Sequence, residues 1–332
     1  MDNRQSAILF ALNHLNLSPP SDEMLIMGGF DALYSSHFPK ARFYSPFAGE
    51  VAQWAQAKHL PLSKDYTPRY VLIHTPQQNN ESDFVIASAL SVVAPNGLIM
   101  CCADNQAGGK TLSKRLSNFG CTTQDLSKQK CRVAWTQTPQ IANQSIIATA
   151  LKTGGIQKRT DEIYTQPGVF SWNHRDIGTD ILLRHLPQNL SGNGADFGCG
   201  LGELSRSILN RYPDISALTC IDHDQRSIDC CIKNTSDFSQ KTFCIWQDIP
   251  TQTNITGLDF IVMNPPFHTG KTEDKNLGKA FITKAHSALK SKGKLYMVAN
   301  THLPYEDLLQ SLFGSISLLA KENGFKIFEA IR

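Results

Sequence analysis

The sequence predicts an α/β fold built from two tandem open sheets, each with mostly parallel strands. Along the 332 residues, short apolar runs alternate with amphipathic stretches of helical length, the pattern of strands joined by helical crossovers. Several of these runs stop at a polar residue or a proline. The two halves repeat the same order of elements, so we infer an internal duplication.

In the first half, the clearest strand is Tyr70–His74, which Thr75-Pro76 ends, because proline cannot donate a ladder hydrogen bond. The polar stretch 136–160 has few aromatic residues and is typical of a linker. We therefore expect a first domain over residues 1–150, a linker over 151–165 and a second domain over 166–332. Further elements are predicted as helices at 5–15, 82–93, 109–119, 177–186, 203–209 and 306–312 and as strands at 97–102, 130–135, 195–197, 217–221, 242–246, 260–263, 294–298 and 325–330.

The duplication is supported by matched spacing. Phe119-Gly120 and Phe313-Gly314 each precede a basic residue by 13 positions, Arg132 in one half and Lys326 in the other. Thr75-Pro76 occupies the place that Asn264-Pro265-Pro266 takes in the second half. The first copy has neither an Asn-Pro-Pro motif nor a glycine-rich turn. We therefore expect the first copy to have kept the fold and to have lost the catalytic activity.

A buried strand ends abruptly at Asn264-Pro265-Pro266-Phe267. Two successive prolines fix two φ angles and make a stiff turn. Such a turn would hold the Asn264 amide, the Pro265 carbonyl and the Phe267 ring at a strand's C-terminal edge, where open α/β sheets bind ligands. Two acceptors beside an aromatic face suit a flat group with an exocyclic amine. The alternative is a structural turn after a core strand.

A glycine-rich turn follows an earlier strand of the second half. Asp196 lies two residues before Gly198, and Gly200 and Gly202 complete a G-x-G-x-G spacing. Glycines allow the backbone to pass close under a ligand and to adopt positive φ. Dinucleotide sites use G-x-G-x-x-G instead. The spacing therefore indicates a nucleoside-like ligand that need not carry phosphates.

Acidic residues end the next two strands. Asp222 lies about 20 residues after the last glycine, where a carboxylate can bridge two ribose hydroxyls. Asp224 competes for that role. Asp248 ends the third strand and could accept from an adenine amino group. Each acid alone could be a cap or turn residue, but their succession at strand ends favours one ligand site.

Composition excludes several other classes of protein. No apolar run approaches the roughly 20 residues that span a bilayer, and the N-terminus lacks a signal-peptide pattern. The net charge is +3; residues 1–160 carry 15 basic against 10 acidic side chains, and 161–332 carry 17 against 19, which weakly favours polyanion contact through the first half. Nine cysteines without a C-x-x-C pair indicate reduced, buried thiols of a cytoplasmic protein rather than a zinc site.

From about residue 165 onward, the sequence resembles the class I S-adenosylmethionine-dependent methyltransferases. The glycine turn is similar to their cofactor loop, and Asn264-Pro265-Pro266-Phe267 to the (D/N)-P-P-(F/Y) signature of enzymes that methylate amines. The resemblance narrows to the RsmC-type ribosomal RNA guanine-N2 methyltransferases. The segments that match this type are Pro167–Ser171, Asp176–Thr179, Asn264–His268, Val298–Asn300 with Leu303–Tyr305, and Phe325-Lys326.

This resemblance implies two tandem Rossmann-like domains with mostly parallel seven-stranded sheets, the first degenerate. It implies S-adenosylmethionine as the methyl donor, S-adenosylhomocysteine as the product and Asn264, Pro265 and Phe267 as catalytic residues. It assigns cofactor contacts to Phe170, Asp176, Gly178, Thr179, Asp196, Gly198, Gly200, Gly202, Asp222, Asp248 and Asn264. It assigns RNA contacts to His268, Lys271, Lys275, Asn300 and Lys326.

The implied activity is methyl transfer to the exocyclic N2 of a guanine in 16S ribosomal RNA, free or in the small subunit. We expect a monomer that needs no metal and no membrane. In a departure from the family pattern, one extra residue lies between Asp248 and the strand that ends at Asn264, which weakens the assignment of Asp248 as the adenine contact. Two alternatives stay open: methylation of adenine N6 or of a protein glutamine, and a non-catalytic RNA-binding assembly factor.

Overall fold

The structure is a computed structural model that describes residues 3–29, 36–53, 66–137, 142–266, 268–269, 272–273 and 275–332. The chain divides into two compact units, Met1–Gln157 and Lys158–Arg332. Each unit is a mixed sheet with helices, as the sequence predicts. None of the described helices is long and apolar enough to cross a lipid bilayer.

Unit 1 contains a sheet in the order β2-β1-β3-β4-β6-β5 within its described residues. The first four strands in this order are parallel, and the last two pairings are antiparallel. The elements are α1 (Asn3–His14), β1 (Met24–Met27), β2 (Arg42–Tyr44), α2 (Ala48–Gln53), β3 (Tyr70–His74), α3 (Asn79–Val92), β4 (Leu98–Asp104), α4 (Leu112–Asn118), β5 (Gln124–Lys128), β6 (Cys131–Gln137) and α5 (Gln144–Gly154).

Unit 2 contains a seven-stranded sheet in the order β11-β10-β9-β12-β15-β17-β16, parallel except for its last two pairings. The elements from the end of unit 1 onward are β7 (Gln157–Lys158), β8 (Tyr164–Thr165), α6 (Ile177–His185), β9 (Gly192–Phe197), α7 (Glu203–Arg211), β10 (Ile215–Asp222), α8 (Gln225–Asn234), β11 (Thr242–Trp246), α9 (Ile249–Gln252), β12 (Leu258–Met263), β13 (His268–Thr269), β14 (Thr272–Glu273), α10 (Lys275–Ala288), β15 (Leu289–Asn300), α11 (Glu306–Leu312), β16 (Ser315–Glu322) and β17 (Phe325–Ile331).

The two sheets share one topology and one register, which confirms the predicted duplication. The order of the six strands in unit 1, β2-β1-β3-β4-β6-β5, matches the order of six neighbouring strands in unit 2, β10-β9-β12-β15-β17-β16. Arg132 pairs with Ala103 in unit 1, and Lys326 pairs with Ala299 in unit 2. The equal spacing of 13 residues therefore marks equivalent points on two antiparallel strands.

The first copy does contain a glycine turn, contrary to our expectation. Gly28 and Gly29 follow β1 directly and have φ of +73° and +67°. The Gly28 N–H donates to the Tyr44 carbonyl, as the Gly198 N–H of unit 2 donates to the Ile221 carbonyl. We missed this turn because a Gly-Gly pair without further glycines is a weak sequence signal.

Part of the segment that we assigned to a linker is helical. Helix α5 spans Gln144–Gly154, begins at an Asn143 cap and packs against α3. Gly154 makes a close approach, since a Cβ there would lie 2.3 Å from Phe84. Polar composition suggested a linker because only one face of this helix is apolar. The unit boundary falls between Gln157 and Lys158.

Strand β12 lies in the middle of unit 2 and is buried on both faces. Ile261 and Met263 belong to one apolar cluster, and Phe260 and Val262 belong to the other. A parallel strand covered on both faces reads as a continuous apolar run, which is why the sequence located it. Its burial fixes the position of Asn264 at the strand's carboxyl end.

Candidate active site

A cleft lies at the carboxyl edge of the unit 2 sheet, where β9 and β12 end and α6 begins. Twelve of the described residues line this cleft, of which seven were predicted from the sequence as site residues and five were not. The predicted ones are Phe170, Asp176, Thr179, Asp196, Gly198, Gly200 and Asn264, and the others are Ser171, Cys199, Leu201, Glu203 and Leu204.

The glycine turn has the backbone conformation that its spacing predicts. Gly198, Gly200 and Gly202 have φ of +76°, +52° and +77°, a region that side chains with a Cβ rarely adopt. A Cβ on Gly200 would meet nothing within 4 Å, whereas one on Gly202 would lie 2.6 Å from the Cys231 sulfur. Gly200 therefore presents bare backbone to open space, and Gly202 allows α8 to pack against the turn.

Asp222 supports this turn from the end of β10. Its Oδ2 accepts from the Gly200 N–H at 2.9 Å, and its Oδ1 accepts from the Asp224 N–H at 2.9 Å. Burial raises the pKa of this carboxyl. Asp224 instead caps α8 and pairs with Arg226 at 2.7 Å, so of these two acids only Asp222 contacts the glycine turn through its side chain.

Asp196 is the most deeply buried carboxyl of the cleft. It is 1% exposed, and its Oδ2 accepts from the Ser205 hydroxyl at 2.6 Å. Burial raises the pKa of Asp196 to about 7, although the Ser205 hydrogen bond opposes the rise. The charge of this side chain is thus poised to change near neutral pH.

Glu203, the first residue of α7, is a cleft residue that the sequence reasoning missed. Its carboxylate pairs with Arg159 at 2.7 Å, and burial raises its pKa. Arg159 also donates to the carbonyls of Ser171 and His174 at 3.1 and 2.6 Å. One buried guanidinium thus ties the segment after Phe170 to the turn. An acid directly after G-x-G-x-G was the available signal.

The Asn264 amide is held in one orientation. Its Nδ2 donates to Asp176 Oδ2 at 2.7 Å and to Thr179 Oγ1 at 3.1 Å. Asp176 caps α6, since its Oδ2 also accepts from the Thr179 N–H at 2.7 Å. A Cβ on Gly178 would lie 3.1 Å from that oxygen, so glycine there keeps the arrangement compact. With the nitrogen engaged, Oδ1 is the amide atom left to accept a hydrogen bond from a ligand.

The described lining of the cleft carries carboxyl groups and no cation. Asp176, Asp196 and Glu203 contribute the carboxyl groups, of which Glu203 is paired with Arg159 from outside the lining, and no lysine or arginine occurs among the described residues that line it. Phosphate groups would be repelled, while a cation would be attracted. This electrostatic character agrees with the sequence-based inference of a nucleoside-like ligand without phosphates.

Other predicted site residues lie elsewhere or outside the described residues. Asp248 precedes α9 and accepts from the Thr251 hydroxyl, so its adenine contact stays a prediction. Asn300 ends β15 opposite Phe325. Phe267 and Lys271 lie outside the described residues, and only the backbone of His268 and Lys275 is described.

The RNA contact assigned to Lys326 needs correction. Lys326 is 6% exposed. Its ammonium donates to the Leu303 carbonyl at 2.9 Å and to the Glu306 carboxylate at 2.5 Å. A buried lysine needs such partners, so this side chain stabilises the turn between β15 and α11.

Among the described residues, unit 1 differs from unit 2 at the place that corresponds to the cleft. The paired residues Met27 and Ile73 correspond to Phe197 and Met263, which places His74 at the position of Asn264. The His74 ring fills the space beside the first copy's turn, since a Cβ on Gly29 would lie 2.3 Å from it. The His74 imidazole thus stands where unit 2 has the side-chain amide of Asn264.

An ion pair lies at the same edge of the unit 1 sheet. Asp104 has the register position of Asn300, since each lies opposite the residue that precedes Arg132 or Lys326. Its carboxylate pairs with Arg4 of α1 at 2.7 Å.

The fold and the cleft together define a class I methyltransferase, and comparisons with known proteins agree. The model of the methyltransferase small domain family matches residues 161–329. Ribosomal RNA small subunit methyltransferase C of Shewanella oneidensis is 31% identical over 279 residues, covering 81% of this chain and 78% of its own. The Alteromonas mediterranea protein of the same name is 29% identical over 271 residues, covering 81% and 74%.

A solved structure has the same two-unit fold. It is the T. thermophilus 16S rRNA N2 G1207 methyltransferase (RsmC) in complex with AdoMet and guanosine, with a TM-score of 0.76 and 20% identity over 93% of this chain and 88% of that one. The chain belongs to the methyltransferase small domain family and, within it, to the RsmC-type ribosomal RNA methyltransferases.

Proposed function

We propose that this protein transfers a methyl group from S-adenosylmethionine to the exocyclic N2 of a guanine in 16S ribosomal RNA. The observation that carries the proposal is the fixed Asn264 amide, whose Oδ1 is left as an acceptor at the edge of the cleft. An acceptor selects a substrate group with N–H donors, such as an exocyclic amine. The names of the relatives support the choice of ribosomal RNA.

The residues of the cleft fit S-adenosylmethionine. This molecule carries a sulfonium and an ammonium, both suited to a lining of carboxylates without basic side chains. The open backbone at Gly200 suits a close approach of the ribose, with Asp222 beneath it as the acceptor for ribose hydroxyls. Phe170 is 63% exposed at the rim, where a ring can cover a bound ligand.

The bound cofactor supplies an electrophilic methyl group. The protein's task is then to position a weak nucleophile, because the lone pair of guanine N2 is delocalised into the ring. Asn264 Oδ1 and the Pro265 carbonyl would each accept one N–H of that amine, which favours a pyramidal nitrogen with its lone pair available. Such positioning and preorganised electrostatics can supply most of the rate enhancement. Transfer from a sulfonium requires no Lewis acid.

The target base must leave its stack to reach the turn, at a cost of a few kcal/mol. We propose that Phe267 stacks on the extruded base and that His268 contacts RNA, or accepts the proton that the methylated amine releases. Lys271 and Lys275 follow the turn and would contact phosphates. Unit 2 would carry the chemistry, and unit 1 would support it or contact RNA. A monomer acting in the cytoplasm fits a duplicated chain with this substrate.

The proposal is tested by mapping methylated nucleotides in 16S ribosomal RNA from cells with and without the protein. We expect one N2-methylguanosine to disappear without it and to return with the wild-type gene. The Asn264→Ala variant should not restore the mark, while calorimetry should show that it still binds S-adenosylmethionine. Loss of an N6-methyladenosine instead, or of a methylated glutamine in mass spectra of peptides from the same cells, would favour the alternative amine substrates. Failure of the wild-type protein to bind the cofactor would favour a non-catalytic assembly factor.

A further inference from the structure

Three cysteine sulfurs meet beneath the glycine turn of unit 2. Cys220 on β10, Cys231 on α8 and Cys244 on β11 place their Sγ atoms within 4.8 Å of one another. The sulfurs of Cys231 and Cys244 are 3.6 Å apart. No other group of three metal-ligating side chains with this spacing occurs in the described part of the chain.

The spacing of these sulfurs is close to that of a metal–thiolate site. Zinc–sulfur bonds of roughly 2.3 Å with tetrahedral angles place neighbouring sulfurs roughly 3.8 Å apart. One pair already has that separation, and small rotamer adjustments of the third side chain would bring the others to it. The three elements that carry the sulfurs are fixed by the sheet and by α8, so the site is largely preformed.

The exposure of the three thiols also suits a cation site. Cys220 and Cys231 are buried, whereas Cys244 is half-buried and gives access from solvent. Three sulfurs that meet at one place offer the soft ligands that Zn²⁺ and similar cations prefer.

We propose that Cys220, Cys231 and Cys244 bind one thiophilic divalent cation of the Zn²⁺ type. The three sulfurs would serve as thiolates, each thiol releasing its proton to solvent on binding, and a water molecule would complete a tetrahedral shell on the side of Cys244. A bound cation would cross-link β10, α8 and β11. Because the Cys231 sulfur lies directly beneath Gly202, where an added Cβ would come within 2.6 Å of it, that cross-link would stiffen the support of the turn.

Sequence spacing could not reveal this site. The three cysteines are 11 and 13 positions apart, outside the short C-x-x-C pairs that predict zinc sites. The fold brings them together because β10, α8 and β11 are successive elements of one βαβ unit. The proposed site therefore departs from our sequence-based expectation of reduced, buried thiols rather than a zinc site.

The test uses Cd²⁺ as a spectroscopic probe of the full-length, reduced and chelator-treated protein. We expect a thiolate-to-cadmium charge-transfer band that saturates at one Cd²⁺ per chain and competition for the same site by Zn²⁺. The Cys231→Ser variant should bind Cd²⁺ about 100-fold more weakly. Cys230→Ser is the matched control, since Cys230 is its buried neighbour on α8 but lies outside the cluster; its binding should be unchanged.

Cys244→Ser provides a second variant whose folding is safer, because Cys244 is only half-buried. It should lose affinity as Cys231→Ser does, with the thermal transition of the metal-free protein close to that of the wild type. The proposal is overturned if the wild type shows no band at equimolar Cd²⁺, or if Cys231→Ser and Cys244→Ser bind as the wild type does. These readouts do not depend on methyltransferase activity.

Discussion

Asn264 donates a 2.7 Å hydrogen bond from Nδ2 to Oδ2 of Asp176, a residue 88 positions earlier at the start of α6. The two residues come from the carboxyl end of β12 and from the cap of a helix, so both partners are held by regular structure. This single contact decides which amide atom of Asn264 meets the ligand. The protein thereby presents an acceptor rather than a donor to the substrate.

We expect Asp176→Ala to lower kcat for methyl transfer by about 100-fold, because a slight misplacement of a positioned group can cost that much. The variant also loses a helix cap, at a cost of about 1 kcal/mol of stability. Asn143→Ala separates the two effects, since Asn143 caps α5 in unit 1 through its bond to the Ile146 N–H. The control should lose similar stability in denaturant unfolding and keep wild-type kcat. If kcat is the same in Asp176→Ala and Asn143→Ala, then Asp176 does not position Asn264 for catalysis.

Asp222→Ala should weaken binding of S-adenosylmethionine by tenfold or more, on the order of 1.4 kcal/mol. The variant loses the acceptor of the Gly200 N–H as well as the expected ribose contact. Calorimetry gives the dissociation constant, and Asp248→Ala provides a comparison at the next strand end. Unchanged affinity in Asp222→Ala would move the ribose contact to another residue.

Titration of Asp196 should make the stability of the fold and the affinity for the cofactor change with pH in opposite directions. Its pKa of about 7 in the fold is raised by burial from an ordinary value of 3.8, so the neutral carboxyl is the form that the folded chain favours. Its stabilising contribution is complete below the ordinary value and is lost as the pH rises through about 7. Affinity for a cationic cofactor should instead increase about tenfold over that upper range.

The Asp196→Asn variant tests this reading, since it keeps the size of the side chain and removes its titration. Thermal unfolding between about pH 4 and 7 and calorimetry between about pH 6 and 8 should show both dependences flattened. A wild-type affinity that does not change with pH would mean that Asp196 does not face the cofactor's positive charge.

The His74 ring in unit 1 predicts that each chain binds one S-adenosylmethionine. His74 stands in the place of Asn264, and its ring lies against Gly29. Calorimetric titration should therefore give a stoichiometry of one, and Asp222→Ala should weaken that single event. A second binding event that survives in Asp222→Ala would contradict the loss of the first site.

The strands that the sequence revealed best are those whose apolar runs have clear ends. The limits of β3, Tyr70–His74, and β11, Thr242–Trp246, agree with the prediction to the residue, because their apolar runs have polar or proline boundaries. Strand β16 was missed because it lies at the edge of the sheet, where Leu318 and Leu319 are exposed. Helix α5 was mistaken for part of a linker because it is amphipathic. The polar residues on its exposed face made the segment look like a polar linker.

The individual residues of the site could be predicted from the sequence, but the contacts between their side chains could not. Residue types and spacing identified the glycine turn, Asp222 and Asn264, since each follows a strand. They could not show that Asp176 and Thr179 orient the Asn264 amide, because that depends on where α6 begins in space. They also could not show that Lys326 is paired with Glu306, or that Arg159 reaches Glu203, since such long-range pairings follow from tertiary packing.

The most direct test of the Asn264 acceptor exchanges the two partners. Asn264→Asp keeps an acceptor for the substrate amine but sets two carboxylates against each other at the position of the 2.7 Å contact, so it should slow transfer. The double variant Asn264→Asp/Asp176→Asn restores one amide donor between them and leaves an acceptor facing the cleft. Single-turnover formation of N2-methylguanosine should be at least about tenfold faster in the double variant than in Asn264→Asp. A double variant as slow as Asn264→Asp would contradict the proposed orientation of the amide.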